Sequence, residues 1–178
     1  MNTAGIFKIN VLTKKNLKNN ILTEVIFSKC RKYRFSYKKT WDIESKNILF
    51  ILLNPSTASE NKSDPTITRL EKHTRNLGGG SFTVCNLFAV REKNPKKLKK
   101  KINPIGYHNE YFIKENSSLA NKIICAWGNE GKYLNQAEKI KKILNEKNYQ
   151  IFIFGLTKKN EPTHPLYLRY DIKLKRWF

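Results

Sequence analysis

The sequence predicts an α/β domain of three layers, α/β/α, around a central, mostly parallel four-stranded sheet, with an N-terminal antiparallel β pair ahead of it. Three observations lead there. Four short runs, over 48–53, 82–88, 122–127 and 150–154, are almost wholly apolar. Runs of that kind, without polar alternation, are strands buried on both faces. The stretches between them carry helical periodicity, and such strand–helix alternation builds a parallel sheet covered on both sides. No internal repeat or linker interrupts the 178 residues, a length suited to one domain. That domain is expected over 21–178, behind a polar N-terminal arm over 1–20.

Residues 1–20 are Asn/Lys-rich and weakly patterned, and read either as an irregular arm or as a short edge strand. Segments 21–27 and 33–37 are rich in branched and aromatic residues and flank a basic turn, the signature of an antiparallel pair. The first apolar run stops at Asn54-Pro55. Asp64-Pro65 then combines an N-cap residue with proline at the first helical position, predicting a helix over 65–77. Gly78-Gly79-Gly80 ends that helix. After the second run, 94–101 is a lysine-rich connection and 107–120 is expected to be helical. The third run ends at Gly128. Leu134, Ala137, Ile140 and Leu144 mark a helix over 133–145, and the fourth run ends at Gly155. A last β-like piece lies around 172–174.

Charge dominates the composition: 35 Lys+Arg against 14 Asp+Glu, a formal +21. Such a field attracts polyanions, either nucleic acid or an anionic membrane surface. An AT-biased genome produces the same Lys, Ile and Asn excess without selection for binding, so both origins stand. A membrane role is not expected, because the lysine run lacks an amphipathic helix with a broad apolar face and no run has the length of a spanning helix. Cys30, Cys85 and Cys125 have neither disulfide-framework nor zinc spacing, and Cys85 and Cys125 sit in apolar runs as buried thiols. With no leader pattern at the start of the chain, a reducing, cytoplasmic setting is expected.

In open α/β sheets, ligands bind beyond the carboxyl ends of the parallel strands. That rule selects Asn54, Pro55, Ser56 and Thr57 after the first run, and Asn86, Phe88 and Arg91 around the end of the second. Trp127 and Gly128 close the third. Gly155, Leu156 and Thr157 follow the fourth, and His164, Pro165 and Leu166 come after them. Phosphate-loop, dinucleotide, HExxH and GxSxG motifs are absent. His73, His108 and His164 have no metal-like spacing, and the first two are expected at the surface. Neither a metal nor a cofactor is expected.

The order Leu53-Asn54-Pro55-Ser56-Thr57-Ala58, Asp64-Pro65-Thr66, Asn86-Leu87-Phe88-Ala89, Ala126-Trp127-Gly128 and His164-Pro165-Leu166-Tyr167-Leu168 resembles the DUF1643 family of bacterial and phage proteins, over roughly 33–170. That family in turn resembles, distantly, the uracil-DNA glycosylase superfamily. Mismatch-specific glycosylases carry a Gly-x-Asn-Pro-Gly loop after the first core strand, and many relatives carry a late His-Pro-Ser loop. Asn54-Pro55 and His164-Pro165 correspond to them, although Leu52, Ser56 and Leu166 replace the two glycines and the serine.

The resemblance implies a uracil-DNA glycosylase-like fold and N-glycosidic bond hydrolysis on a base taken out of the stack. It makes Asn54 the residue that orients water and His164 the donor to the departing base or a phosphate ligand. Phe88 or Trp127 would stack on the base, with Asn86 reading its edge. Pro55, Ser56, Thr57, Pro165 and Leu166 complete the substrate pocket, and Asp64 is a further acid or base. Arg91, Lys93, Lys96, Lys97, Lys99 and Lys100 would hold phosphates.

Each assignment has a plainer counterpart. Asn54-Pro55-Ser56-Thr57 also suits an ordinary strand-ending turn. Asp64 also suits an N-cap, His164 an idle loop residue, Asn86 a satisfied strand-end amide, and Trp127 core packing. The lysine run also suits a solvated charge run. The expected function is a nucleic-acid-binding enzyme acting on a damaged or modified base. Its partner is DNA, with RNA or nucleotides as other polyanions, and the chain is expected to work as a monomer. Non-catalytic nucleic-acid binding and an enzyme on a free nucleotide or modified nucleoside are the alternatives.

Overall fold

The computed structural model describes residues 9–178, with the side chains of residues 95 and 96 outside the description. The strands are β1 (Val11–Lys18), β2 (Ile21–Ser28), β3 (Arg34–Thr40), β4 (Lys46–Leu52), β5 (Gly79–Asn86), β6 (Lys122–Cys125), β7 (Ile151–Ile153) and β8 (Lys175–Arg176). The helices are α1 (Pro65–Asn76), the single turn α2 (Pro95–Leu98), α3 (Asn109–Ser118) and α4 (Gln136–Glu146).

All eight strands form one mixed sheet in the order β1-β2-β3-β5-β4-β6-β7-β8. The four apolar runs are its parallel centre, β5-β4-β6-β7. The sheet is larger than the four strands expected, because both flanks of that centre are extended. The N-terminal pair does not stand apart: β3 pairs antiparallel with β5, and β2 and β1 continue outward. At the other edge β8 pairs antiparallel with β7. Each added strand satisfies backbone groups that an outer parallel strand leaves open. Of the two alternatives for the first twenty residues, residues 11–18 take the edge strand, and residues 1–8 lie outside the described residues.

Alternation along β4 explains its uninterrupted hydrophobicity. Ile48, Phe50 and Leu52 pack with Ile67 and Leu70 of α1, while Leu49 and Ile51 pack with Ile113 of α3 and Ile140 and Leu144 of α4. Every second residue therefore meets a different helical layer, and neither face tolerates a polar side chain. Burial pushes the Cys85 thiol up to about 12 and raises that of Cys125 as well, as inert core thiols require. His73 departs from the expected surface position. It is 2% exposed, its ring 4.8 Å from that of Phe154 and 5.4 Å from that of Tyr170. The aromatic tail folds back over the end of α1 and covers it, which no local pattern announced.

Order along the centre reverses at β4. The chain leaves β4 through α1 to β5 on one side, then crosses back through α3 to β6 on the other. The carboxyl end of β4 is thus the topological switch point, where connections diverge and leave a crevice.

Among the loops beside that crevice, Gly106 has φ +84°, and a Cβ there would lie 3.0 Å from the Tyr33 ring. Gly106→Ala is expected to cost about 1–2 kcal/mol of stability, measurable by urea titration. An unchanged midpoint would mean that the loop relaxes freely.

Candidate functional site

A cleft of about 570 Å3 opens at the switch point, within the range of ligand sites. Asn54, Ser56, Thr57 and Asp64 from the loop after β4 line it together with His164, Leu166 and Tyr167, Trp127 and Asn129 after β6, and Glu92 and Lys93 after β5. The Asn-Pro and His-Pro loops, more than a hundred positions apart, therefore face one cavity.

Asn54 follows β4 directly. Its Nδ2 donates to the Glu92 carbonyl at 2.6 Å and the Pro55 carbonyl at 3.2 Å. Carbonyls only accept, so the amide nitrogen must face them and Oδ1 is left as the acceptor for the cleft. The Glu92 amide donates in return to the Pro55 carbonyl at 2.9 Å. Loop 54–55 is thereby tied to the segment after β5.

Asp64 caps α1: Oδ1 accepts from the Ile67 amide at 2.9 Å, and the residue is only 8% exposed. That contact satisfies one of the backbone donors left open at the start of a helix. Its second oxygen takes no part in the cap. Asp64 is thus the N-cap of α1 and also lines the cleft.

His164 opens a single 3-10 turn, Pro165–Tyr167. Its Nδ1 accepts from the Leu166 amide at 3.3 Å. A backbone amide only donates, so the neutral ring carries its proton on Nε2. Burial holds the imidazole below its ordinary pKa, with Asp64 pulling weakly the other way. The ring is thus a neutral Nε2–H donor near neutral pH.

Side chains that the sequence did not single out hold this arrangement. Arg69 on α1 donates through Nε to the Pro165 carbonyl at 3.1 Å, through a terminal nitrogen to the Leu168 carbonyl, and through Nη1 to the Tyr170 hydroxyl at 3.2 Å. It clamps the His164 loop to the helix that Asp64 caps. Arg34, 3% exposed, donates to the Ala58 carbonyl at 3.3 Å and holds loop 54–64 from beneath. Burial pulls its guanidinium down to about 10, with Asp64 opposing, so it stays charged at neutral pH. Glu161 accepts from Trp127 Nε1 at 2.7 Å. The only cue for these residues was charge inside otherwise apolar or helical segments.

Several expected residues lie elsewhere. Asn86 is 1% exposed behind the cleft: its Oδ1 accepts from Arg34 at 3.5 Å and its carbonyl from Asn109 at 2.8 Å, while its Nδ2 is buried without a partner, so it is a strand-end amide that is only half satisfied. Phe88 is fully buried against Tyr133 and is not in the cleft. Pro55 and Pro165 are buried in their turns and present no lining surface. Trp127 touches the cleft but is 1% exposed and edge-on to Trp177, so it is a wall and not an open platform. Tyr167, 90% exposed at the rim, is the free aromatic.

The lysine run divides. Lys93 lines the cleft, Lys97 is exposed, and the Lys96 side chain lies outside the described residues. Lys99 pairs with Glu130 at 2.8 Å and Lys101 with Glu92 at 3.0 Å, so these two cations neutralise acids of the cleft rim. Arg91 and Lys100 border a separate groove.

A family model described as a protein of unknown function, DUF1643, matches residues 34–166. No curated protein and no solved structure matches the chain.

As pH falls through about 6.5, histidines of the unfolded chain take up protons. His164 and His73, both lowered first of all by burial, resist protonation in the folded state. The unfolded state then binds more protons, and stability falls on acidification. We expect Tm to drop between about pH 7 and about pH 5, and to drop less in His164→Asn, which keeps a cap for Leu166. Equal slopes would mean that His164 titrates normally.

Proposed function

The chain belongs to the DUF1643 family, and from its site we propose that it is a nucleic-acid-binding enzyme acting on a base, by glycosylase-like hydrolysis of an N-glycosidic bond. The observation that carries this reading is the meeting of Asn54, Asp64 and His164 in one cleft. The same reading takes the sheet and its helical layers as a distant, enlarged uracil-DNA glycosylase-like fold.

The chemistry divides among groups in suitable states. Asn54 Oδ1, its amide nitrogen held by carbonyls, accepts a hydrogen bond from a water and aligns it on the sugar carbon. An amide is too weak a base to take the proton, and Asp64, lining the same cleft, is the acceptor for it. The carbon–oxygen bond forms while the N-glycosidic bond breaks, with its electrons leaving on the base. The neutral His164 Nε2–H donates to that developing negative charge. Free base and an abasic sugar result.

Charge within the cleft favours a base over a phosphate. Its acids Glu92 and Glu130 are paired with Lys101 and Lys99, and the remaining charged lining residues are Asp64 and Lys93, one of each sign, so no net cationic surplus remains for a free nucleotide. The cleft suits an uncharged heterocycle delivered by a chain whose phosphates stay outside.

DNA carrying uracil, mismatches or hypermodified pyrimidines, followed by alkaline cleavage at abasic sites, tests this. Asn54→Ala and His164→Ala are expected to lower base release by about 100- to 1,000-fold with strand binding retained. Asp64→Asn preserves the cap, so it should lose activity at wild-type stability, whereas Asp64→Ala also loses about 1 kcal/mol. Wild-type protein that binds these strands yet releases no base from any of them would overturn the proposal.

A further inference from the structure

On the far side of segment 90–93 from the cleft lies a second groove, of about 580 Å3, bordered by Arg31, Lys32, Arg91, Lys100 and Lys101 together with Tyr33. The Arg31 and Arg91 guanidiniums both lie 5.1 Å from the centre of the Phe27 ring, a like-charged pair held on one buried aromatic. Glu60 reaches Arg31 at only 3.8 Å, and Lys101 is taken by Glu92. Lys32, Arg91 and Lys100 have no carboxylate within salt-bridge distance among the described residues. Arg91 Nε is buried without a hydrogen-bond partner. Two adjacent guanidiniums, one with an orphaned donor, are relieved by an anion and by little else. Fully exposed Ile102 borders this groove, and exposed Tyr107 follows Gly106, which packs against the Tyr33 ring beside it.

We propose that this groove is the backbone track for a single-stranded polynucleotide, with phosphates on the Arg31–Arg91 pair and bases against the exposed Tyr107 and Ile102. Cations in a concave track beside apolar and aromatic side chains are the usual means of holding single strands. Val90 and Arg91 line the groove and the next two residues, Glu92 and Lys93, line the cleft, so consecutive residues put the track next to the cleft. The assignment deepens the base-directed reading and rests on it for the direction in which the strand runs.

Binding of a fluorescent oligothymidylate and of a duplex of equal length, followed by anisotropy across a salt series, tests it. Lys32→Ala/Lys100→Ala is expected to weaken strand binding and to reduce the salt slope by about 1.4, for two lost single-strand phosphate contacts. Lys142→Ala/Lys147→Ala removes equal charge at the far end of α4 and should leave the slope unchanged. Equal effects of the two double variants, or tighter binding of the duplex, would overturn the track. Asn54→Ala should bind the strand like wild type. Wild-type protein that shows the slope effect yet releases no base counts against catalysis at the cleft alone, and base release without the slope effect counts against the groove alone.

Discussion

The cleft depends on one guanidinium. The segment carrying His164 contains a single 3-10 turn and has little regular structure to position it. Arg69 supplies what is missing by gathering two of its carbonyls and the Tyr170 hydroxyl, with its charge also 4.4 Å from the Tyr170 ring. Hydrogen bonds from a charged donor are about twice as strong as neutral ones. Arg69 extends from the helix that Asp64 caps, so carboxylate and imidazole are referenced to one rigid element. Asn54 is referenced to β4 and to the Glu92 backbone. Side chains from distant parts of the sequence thereby share one frame, the preorganisation that a catalytic constellation needs.

Burial and charge are separated across the molecule. Arg34 lies beneath the loop, His164 is kept neutral, and the acids of the rim are matched by lysines. The cleft thus has donors and acceptors of fixed direction but little net field. The excess positive charge of the chain lies outside it, with Arg31, Lys32, Arg91, Lys100 and Lys101 gathered around one groove. A site that must accept a neutral heterocycle from a polyanion benefits from that separation, since a strongly positive cleft would draw in the phosphate.

How legible this was depended on the range of the interaction. The central strands were readable because each residue of β4 meets an apolar layer on one side or the other. Helix α1 was readable from Asp64-Pro65, a local signal satisfied within one turn. The rule that ligands gather at strand carboxyl ends located Asn54 and His164, since it needs only the order of the elements. The full width of the sheet was not readable, because the pairing of β3 with β5 joins segments about forty residues apart and leaves no periodic trace. Asn86 and Phe88 occupied plausible positions at the end of β5, but a strand end that faces another layer is as buried as its middle. Arg69 and Glu161 were silent because their partners are carbonyls and an indole, groups that every sequence contains in abundance.

The outermost strand has a consequence of its own. Among the described residues β1 pairs only with β2, and along its outer side they leave a row of backbone donors and acceptors available to an extended peptide. Lys18 stands exposed along it, and Lys15, though paired with Glu24 of β2, keeps its side chain 60% exposed, on a chain carrying +21. A second molecule trying to lengthen the sheet would have to strip water from those ammonium groups and bring up another cationic chain. Growth by strand addition, the first step toward fibrils, is therefore opposed by electrostatics at the edge itself, which no helix of the described residues covers.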